Sequence, residues 1–185
     1  DFNVGITDAN SFTKIASRND DQTVMIAIKS DGSLWYWAES GAYFMTWGTA
    51  DNTWRQYGSD TDWTDISAED RCFSAVKGGD LLYIGRGSRR QRGDGSTADA
   101  NSWTVVNSAL TWVATSLGYR MQAAVTSTGE AYFCGYNYDY QTGQGTQSGS
   151  NATLTREQNS LTSCMGVASG AYRHCKILKG GNIYS

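Results

Sequence analysis

The sequence has no proline, a single histidine, four cysteines and no long apolar run. Without proline, the turns must depend on glycine, which accounts for 21 of the 185 residues. With one histidine, and no nucleophile, base and orienting residue at motif spacing, the sequence offers little support for catalysis. No apolar segment approaches the roughly 20 residues that span a bilayer, so membrane insertion is not predicted.

Charged residues are also sparse, at 18% of the chain, and the formal net charge is -3. A net negative chain is a poor candidate for a protein whose main partner is nucleic acid. The chain opens Asp1-Phe2-Asn3 without an apolar segment behind basic residues, so no signal peptide is predicted. Aromatic residues are plentiful, with seven Trp and eleven Tyr, and together with the low charge they indicate a folded chain.

Three segments of the chain share a turn glycine that precedes a short apolar run, and a fourth segment begins near residue 180. The turn glycines Gly32, Gly79, Gly129 and Gly181 are 47, 50 and 52 residues apart. Repeats of this period predict a solenoid or a propeller, because a single unit cannot bury its own apolar face.

Each turn glycine is flanked by apolar and aromatic residues, which predicts a β-hairpin, and a third short apolar segment precedes each hairpin. No segment has helical periodicity, so the predicted fold class is all-β. The polar stretch Gln147 to Asn159 is predicted to be a surface loop insertion. The first hairpin strands are predicted at 23–29, 72–77, 121–126 and 174–179, and the preceding segments at 12–16, 63–67, 112–114 and 165–168.

The repeats resemble those of the regulator of chromosome condensation family over about residues 12 to 185. The resemblance implies a β-propeller, since members of that family form seven-bladed propellers with four strands in each blade. Two departures are that Ala38 replaces the family glycine and that only His174 keeps the histidine of the inward strand. The motifs that carry the resemblance are Val167-Ala168-Ser169-Gly170, Asp31-Gly32-Ser33-Leu34-Trp35-Tyr36-Trp37 and Thr142-Gly143-Gln144-Gly145-Thr146.

The predicted organisation is three full repeats and a partial fourth, which cannot close a seven-bladed ring. An unclosed propeller leaves sheet edges and apolar faces uncovered. We therefore expect an incomplete propeller, or one completed by a partner, by a second copy or by further chain. The predicted units are an N-terminal arm at 1–11, repeat 1 at 12–62, repeat 2 at 63–110, repeat 3 at 111–161 and a partial repeat 4 at 162–185.

The central hairpins predict which side chains are buried and which glycines have a positive φ. Leu34, Tyr36, Leu82, Ile84, Phe133 and Cys134 are expected to be among the best-buried side chains. The four turn glycines are expected to have positive φ, as hairpin glycines commonly do.

The four cysteines are too few and too unevenly spaced for a disulfide framework, and none forms a Cys-x-x-Cys pair. Cys134 takes the position of Trp37 and Ile84 in sister repeats, so we expect a buried small hydrophobe in preference to a disulfide partner. This pattern fits assembly in a reducing cytoplasm.

Two groups of arginines are candidate partner-binding residues. Arg71, Arg120 and Arg173 precede the predicted inward strand in successive repeats, where they could bind carboxylates or phosphates, or bond to carbonyls of a neighbouring blade. The second group is a dense basic loop that could dock an acidic protein surface or a phosphate, or could be a solvated loop. This loop contains Arg86, Arg89, Arg90 and Arg92.

Aromatic residues in or next to loops are candidates for stacking on sugar rings, although in a propeller they also fill the space between blades. The cell-adhesion tripeptide Arg92-Gly93-Asp94 is in register with the glycine loop of the repeat, which explains it without integrin binding. The acidic run 60–65 lacks the glycine and distal glutamate of a calcium loop, so no metal site is predicted. The candidate stacking residues are Trp47, Trp54, Tyr57, Tyr136, Tyr138 and Tyr140.

The sequence therefore predicts a non-enzymatic module without cofactor that contacts other macromolecules, and three functions remain open. The first is a structural or interaction protein of a larger assembly, since the composition is similar to that of phage virion proteins (capsid, tail or fibre) built on this repeat. The second is a glycan- or receptor-binding module. The third, implied by the resemblance, is a chromatin-bound nucleotide-exchange factor for a small GTPase. Net negative charge and the missing blades weigh against this third function. The expected partners are other protein subunits, including copies of this chain, or a cell-surface glycan or receptor.

Overall fold

The computed structural model contains fifteen strands in four separate antiparallel sheets, and the part of the chain that it describes has no helix. This confirms the all-β prediction. The described residues are 11–19, 23–40, 48–145, 147, 149–170 and 175–184.

Each sheet is a meander in which strands that are consecutive in sequence are hydrogen-bonded neighbours. The first sheet contains β1 (Phe12–Asn19), β2 (Thr23–Lys29), β3 (Leu34–Ala38) and β4 (Arg55–Gln56). The second contains β5 (Trp63–Glu69), β6 (Cys72–Lys77), β7 (Asp80–Gly85) and β8 (Ala100–Asn107). The third contains β9 (Trp112–Gly118), β10 (Met121–Thr126), β11 (Ala131–Asn137) and β12 (Gly149–Arg156). The fourth contains β13 (Cys164–Ser169), β14 (Cys175–Lys179) and β15 (Asn182–Tyr184).

The four sheets are arranged as the blades of a propeller that is not closed by hydrogen bonds. The first strands of successive sheets lie side by side: β1 against β5, β5 against β9, and β9 against β13. The first strand is therefore the innermost one. The sequence analysis took the first hairpin strand of each repeat as the inward one. In the structure this strand is the second of its sheet and lies between the innermost strand and the third strand.

One hydrogen bond recurs at every seam between successive sheets. The backbone N–H of the first residue of the following sheet donates to the carbonyl of the turn glycine in the preceding one. The donor–acceptor distances are 3.2 Å from Trp63 to Gly32, 2.8 Å from Trp112 to Gly79 and 3.0 Å from Cys164 to Gly129. The turn glycines thus join the sheets as well as reversing the chain.

The same three side chains pack against a cross-strand pair at a constant register in the preceding sheet. Trp63 shares a buried cluster with the pair Ile28–Leu34, and Trp112 shares one with Val76–Leu81. In the third seam, Cys164 packs in one cluster with Val125 and Ala131. The hydrophobic cores of this protein therefore lie between the sheets, as the repeat spacing predicted.

The packing prediction is confirmed, because all six side chains expected from the central hairpins are at most 8% exposed. The turn prediction is also confirmed. The values of φ are +80° at Gly32, +88° at Gly79, +79° at Gly129 and +80° at Gly181. The regular glycine spacing thus marks four turns of the same backbone type.

The prediction of a loop over Gln147 to Asn159 is wrong, because β12 occupies most of that stretch and pairs with β11. Its polarity is that of an outer strand with one face in solvent, and β-branched Thr153 and Thr155 suit this position. Leu154, which is 7% exposed, packs into the core between the second and third sheets.

Cys72, Cys134 and Cys164 are buried free thiols, as expected for Cys134. Burial raises the pKa of Cys72 to about 12, and its thiol donates to the carbonyl of Glu69 at 2.9 Å. A protonated, enclosed thiol is a poor nucleophile.

We expect these three cysteines to resist alkylation in the native protein. With iodoacetamide at pH 7.5, peptide mass spectrometry should show less than about a tenth of the labelling that the same cysteines reach in 6 M urea. Rapid native labelling of Cys72 or Cys134 would contradict the packing between the second and third sheets.

Candidate interaction surface

The topology gathers most of the candidate residues at one end of the propeller. In an antiparallel meander, the turn after the first strand and the connection after the third strand lie at the same end of the sheet. In the second and third sheets we call these segments the loop end, and they comprise residues 70–71, 86–99, 119–120 and 138–145.

Arg89 joins the loop segments of the second and third sheets. Its guanidinium forms an ion pair with Asp70, a residue of the β5–β6 turn. The same guanidinium donates to the carbonyl of Tyr119 at 3.1 Å and to the hydroxyl of Tyr119 at 2.7 Å. Its Cζ also lies 3.7 Å from the centroid of the Tyr119 ring. This arginine is therefore fixed by contacts on both sides of a seam.

The stacking continues across the third sheet. The Cζ of Arg120 lies 5.2 Å from the centroid of Tyr119 and 4.6 Å from that of Tyr136. The rings of Tyr136 and Tyr138 are 5.3 Å apart and inclined by 38°. We call the series Arg89, Tyr119, Arg120, Tyr136 and Tyr138 the arginine–tyrosine stack.

Two of the other arginines in the basic loop also lie close to aspartates. Arg86 lies 3.8 Å from Asp70 and donates to the hydroxyl of Ser88 at 3.0 Å. Arg92 lies 2.8 Å from Asp94, inside the adhesion-like tripeptide. Arg90 is exposed. The loop is therefore less cationic than its sequence indicated.

The connection of residues 86–99 is also tethered to the outer strand of the next sheet. Leu154 donates its backbone N–H to the carbonyl of Gly93 at 2.8 Å, and Gly95 donates to Ala152 at 2.9 Å. A loop held in this way keeps its shape before any partner binds.

Equivalent loop positions in the second and third sheets have the same unusual backbone. Arg90 and Tyr140 have φ of +64° and +62°, and each precedes a glutamine that is buried beneath the loop. Gln91 is fully buried, and Gln141 is 9% exposed. Gln141 holds its loop, since its Oε1 accepts from the backbone N–H of Asp139 at 2.8 Å and its Nε2 donates to the Asp139 carboxylate at 3.4 Å. Tyr140 and Tyr138 in the same loop remain 56% and 55% exposed.

The remaining candidates lie elsewhere. Trp54 packs on Phe12 with ring centroids 5.1 Å apart, and Tyr57 packs edge-on against Trp63 at 6.2 Å. Both rings therefore fill space around the first sheet. Arg71 lies at the loop end, is exposed and has φ of +60°. Trp47 and Arg173 lie outside the described residues.

The loop end carries acidic as well as basic groups. Burial raises the pKa of Glu69, which precedes this end, and the neighbouring charge of Asp70 raises it further.

No group of three or more His, Cys, Asp or Glu side chains is placed to hold a metal ion in the described part of the chain. Nor does that part contain a helix long and apolar enough to cross a membrane.

At the opposite end, a cavity of about 390 Å³ lies between the third and fourth sheets. Its lining includes Val113, Met165 and Thr128, and its one ionisable group is Cys164, whose pKa is raised by burial. It offers no acid–base pair for chemistry.

Sequence reasoning missed two residues of the stack region, Asp70 and Tyr119. Both are next to arginines that the sequence analysis selected, Arg71 and Arg120. The available signal was that Asp70 and Tyr119 occupy the same turn, between the first and second strands, in consecutive repeats. Their contacts with Arg89 could not be predicted, because these contacts depend on how adjacent sheets pack.

The fold is similar to that of solved β-propellers of the RCC1 type. The chain matches human WBSCR16 with a TM-score of 0.67 at 18% identity, covering 90% of this chain and 44% of that one. It matches yeast RCC1 (Prp20), in a complex with Kap60, with a TM-score of 0.67 at 13% identity, covering 93% and 42% of the two chains. Another structure of Prp20p, from Saccharomyces cerevisiae, matches with a TM-score of 0.65 at 13% identity, covering 94% and 44%.

These likenesses confirm the sequence resemblance as a shared RCC1-type repeat fold. The chain spans less than half the length of these structures. The sequence matches no family profile and no curated protein sequence.

Proposed function

We propose that this chain is a non-enzymatic module of a larger assembly and that it binds another protein through the loop end. The end of the arginine–tyrosine stack carries the proposal, because Tyr138 and the nearby Tyr140 are both more than half exposed. Their loop is held by Gln141, which bonds to Asp139, and by the backbone N–H of Gln158, which donates to the carbonyl of Gly143 at 2.9 Å. Exposed rings on such loops lose little conformational freedom when they bind.

The composition of this surface supports a protein partner. Tyrosine and arginine are enriched among the residues that dominate protein–protein binding energy. Propellers of similar fold also bind proteins: the yeast Prp20 structures are described as bound to Kap60 and as having binding properties to Gsp1p and histones. The loop end carries both arginines and aspartates, so it is complementary to a partner surface that has both carboxylates and cations.

Hydroxyl-radical footprinting tests this proposal whatever the identity of the partner. We expect Tyr138 and Tyr140 to be oxidised at least about threefold more slowly in the native assembly than in the isolated chain, since a bound protein excludes solvent from the rings. Val105, an exposed residue of β8 remote from the loop end, is the internal control and should react equally in both samples. Equal oxidation of the two tyrosines in both samples would contradict the proposal.

We propose that the larger assembly is a phage virion, with the chain in a capsid, tail or fibre. The support is compositional: the absence of proline and the abundance of glycine and tyrosine. Immunogold labelling of purified particles from the source, with antibody against this chain, tests the assignment. Unlabelled particles would contradict it.

A glycan is the second candidate partner, and the neighbouring rings of Tyr136 and Tyr138 favour it. Sugar rings stack on exposed aromatic faces. A glycan array probed with the isolated chain and with Tyr138→Ala separates the two functions, because only a glycan-binding module would give signals that the substitution removes.

The third candidate, nucleotide exchange on a small GTPase, has the fold likeness to Prp20 as its support. A nucleotide-release assay with the GTPase of the source organism tests it directly.

A further inference from the structure

The loop end is the basic part of an acidic chain. It contains six of the ten arginines of the sequence, four aspartates and neither lysine nor glutamate, so its formal charge is +2. The whole chain has a formal charge of -3. A positive end on a negative chain attracts the acidic groups of a partner. The six arginines are Arg71, Arg86, Arg89, Arg90, Arg92 and Arg120.

Three of these arginines already have a carboxylate of the same chain nearby. Asp70 lies within ion-pair distance of both Arg86 and Arg89, and Asp94 lies 2.8 Å from Arg92. These aspartates neutralise much of the basic loop before a partner binds.

Arg120, in the turn between β9 and β10, has contacts with aromatic rings instead of a carboxylate. Its Cζ lies 5.2 Å from the centroid of Tyr119 and 4.6 Å from that of Tyr136. No residue that the structure describes forms an ion pair with Arg120. Its Nε is buried and has no hydrogen-bond partner in that part of the chain. The side chain is partly exposed, so a ligand would reach the two terminal nitrogens.

Arg89 shows what a stacked guanidinium of this surface binds. Its Cζ lies 3.7 Å from the centroid of the Tyr119 ring, and the same guanidinium pairs with the carboxylate of Asp70. The two contacts do not compete, because a ring covers the face of a guanidinium while the N–H groups lie in its plane. Arg120 therefore has the ring contacts of Arg89 without the carboxylate.

We infer that Arg120 binds a carboxylate of the partner protein, from an aspartate or glutamate in an acidic segment. The terminal N–H groups of Arg120 would donate to the two carboxylate oxygens, while Tyr119 and Tyr136 hold the guanidinium in place. The exposed Arg90 supplies a second cation at the same end. The inference rests on the proposed function and deepens it by naming the chemistry of the partner.

The charges around Arg120 favour a carboxylate over a phosphate. The four aspartates of the loop end remain close to any bound anion, and Asp139 is exposed in the same loop as Tyr138. A phosphoryl group carries about two negative charges at pH 7 and is repelled more strongly by these aspartates than a carboxylate is. One guanidinium fork balances the single charge of one carboxylate.

A binding titration with an acidic peptide tests the inference on the 185-residue chain. Fluorescein-labelled hexaglutamate is the probe, equally labelled hexaglutamine is the uncharged control, and fluorescence anisotropy measures both. We expect hexaglutamate to bind with a Kd below about 1 mM and hexaglutamine not to bind. Arg120→Ala should weaken the binding of hexaglutamate at least about tenfold.

Two further variants separate a fixed guanidinium from general charge. Arg120→Lys keeps the charge but loses the planar fork, so it should still weaken binding at least about threefold. Arg55→Ala is the matched control, because Arg55 is an exposed arginine of β4, outside the loop end, that pairs with Asp51. It removes one charge and should leave the Kd within about twofold of the wild-type value. Protection of Cys72 from alkylation shows that each variant is folded.

Several results would overturn the inference. One is the absence of hexaglutamate binding at 1 mM, and another is an equal loss of affinity in Arg120→Ala and Arg55→Ala. A lysine variant that binds like the wild type would also overturn it, since charge alone would then explain the binding. Tighter binding of a phosphoserine peptide of the same net charge would assign the site to phosphate instead.

The footprint at Tyr138 and Tyr140 tests separately whether a protein covers the loop end in the native assembly. Protected tyrosines together with no affinity for hexaglutamate would leave the proposed function in place and overturn this inference alone.

Discussion

Gly32→Val is expected to lower the free energy of unfolding by about 4 kcal/mol, from backbone strain and from overpacking at the seam. Gly32 has φ of +80°, a conformation that costs a non-glycine residue about 1–3 kcal/mol. A Cβ at this position would also lie 2.0 Å from the carbonyl oxygen of Thr61, in the connection to the second sheet. The substitution therefore strains a turn and separates two sheets. Urea denaturation followed by tryptophan fluorescence measures the change.

Gly181→Val is the matched control for this substitution. Gly181 has the same φ of +80°, but a Cβ there would meet no atom within 4 Å. Its replacement should cost about 1–2 kcal/mol, from backbone strain alone. The measurement is the same urea denaturation at the same chain concentration. Equal costs at both glycines would mean that the close approach of the sheets at Gly32 adds nothing to stability.

The hairpins and their turns could be predicted from the sequence because local chemistry determines them. A glycine between two apolar runs specifies both the reversal and the positive φ, and the first hairpin strands at 23–29, 72–77 and 121–126 agree with the structure. The fourth, predicted at 174–179, is observed from Cys175, the first described residue after 174.

The outer strands could not be predicted in the same way. β12 has polar residues on most positions and one buried leucine, Leu154, so its pattern is close to that of a loop. Its strand conformation depends on hydrogen bonds to β11 and on the tether to Gly93, which are contacts distant in sequence.

The candidate surface was predictable in its residue types but not in its geometry. The sequence pattern placed Arg120 before a strand and Tyr136 in or next to a loop, but it gave no sign that their side chains meet. The contact of Arg89 with Tyr119 spans 30 residues and a seam, and no local pattern encodes it. Ion pairing of three arginines in the basic loop likewise depends on Asp70 and Asp94, whose positions follow from the packed turns.

The packing between sheets also explains why the first residue of a sheet is Trp in the second and third sheets and Cys in the fourth. Trp63 and Trp112 cover wide cross-strand pairs that contain leucine, whereas Cys164 faces Val125 and Ala131. The size of the first residue thus follows the size of the pair beneath it.

Trp112→Ala is expected to lower the free energy of unfolding by about 3–5 kcal/mol, through the cavity left at the second seam. The side chain is 1% exposed and packs edge-on against Tyr132, with ring centroids 5.3 Å apart. Its Nε1 donates to the carbonyl of Asn107 at 3.0 Å, and the substitution also removes this bond. The backbone N–H to Gly79 remains, so the change reports on the side chain.

Val113→Ala provides the control. Val113 is the next residue of the same strand and is 46% exposed, so its substitution should change the free energy of unfolding by less than about 0.5 kcal/mol. Thermal and urea unfolding of both variants, at one chain concentration, measure the difference. The cavity should also admit alkylating reagent to Cys134, a member of the same buried cluster. A stable Trp112→Ala variant with Cys134 still protected would show that the sheets do not depend on this seam.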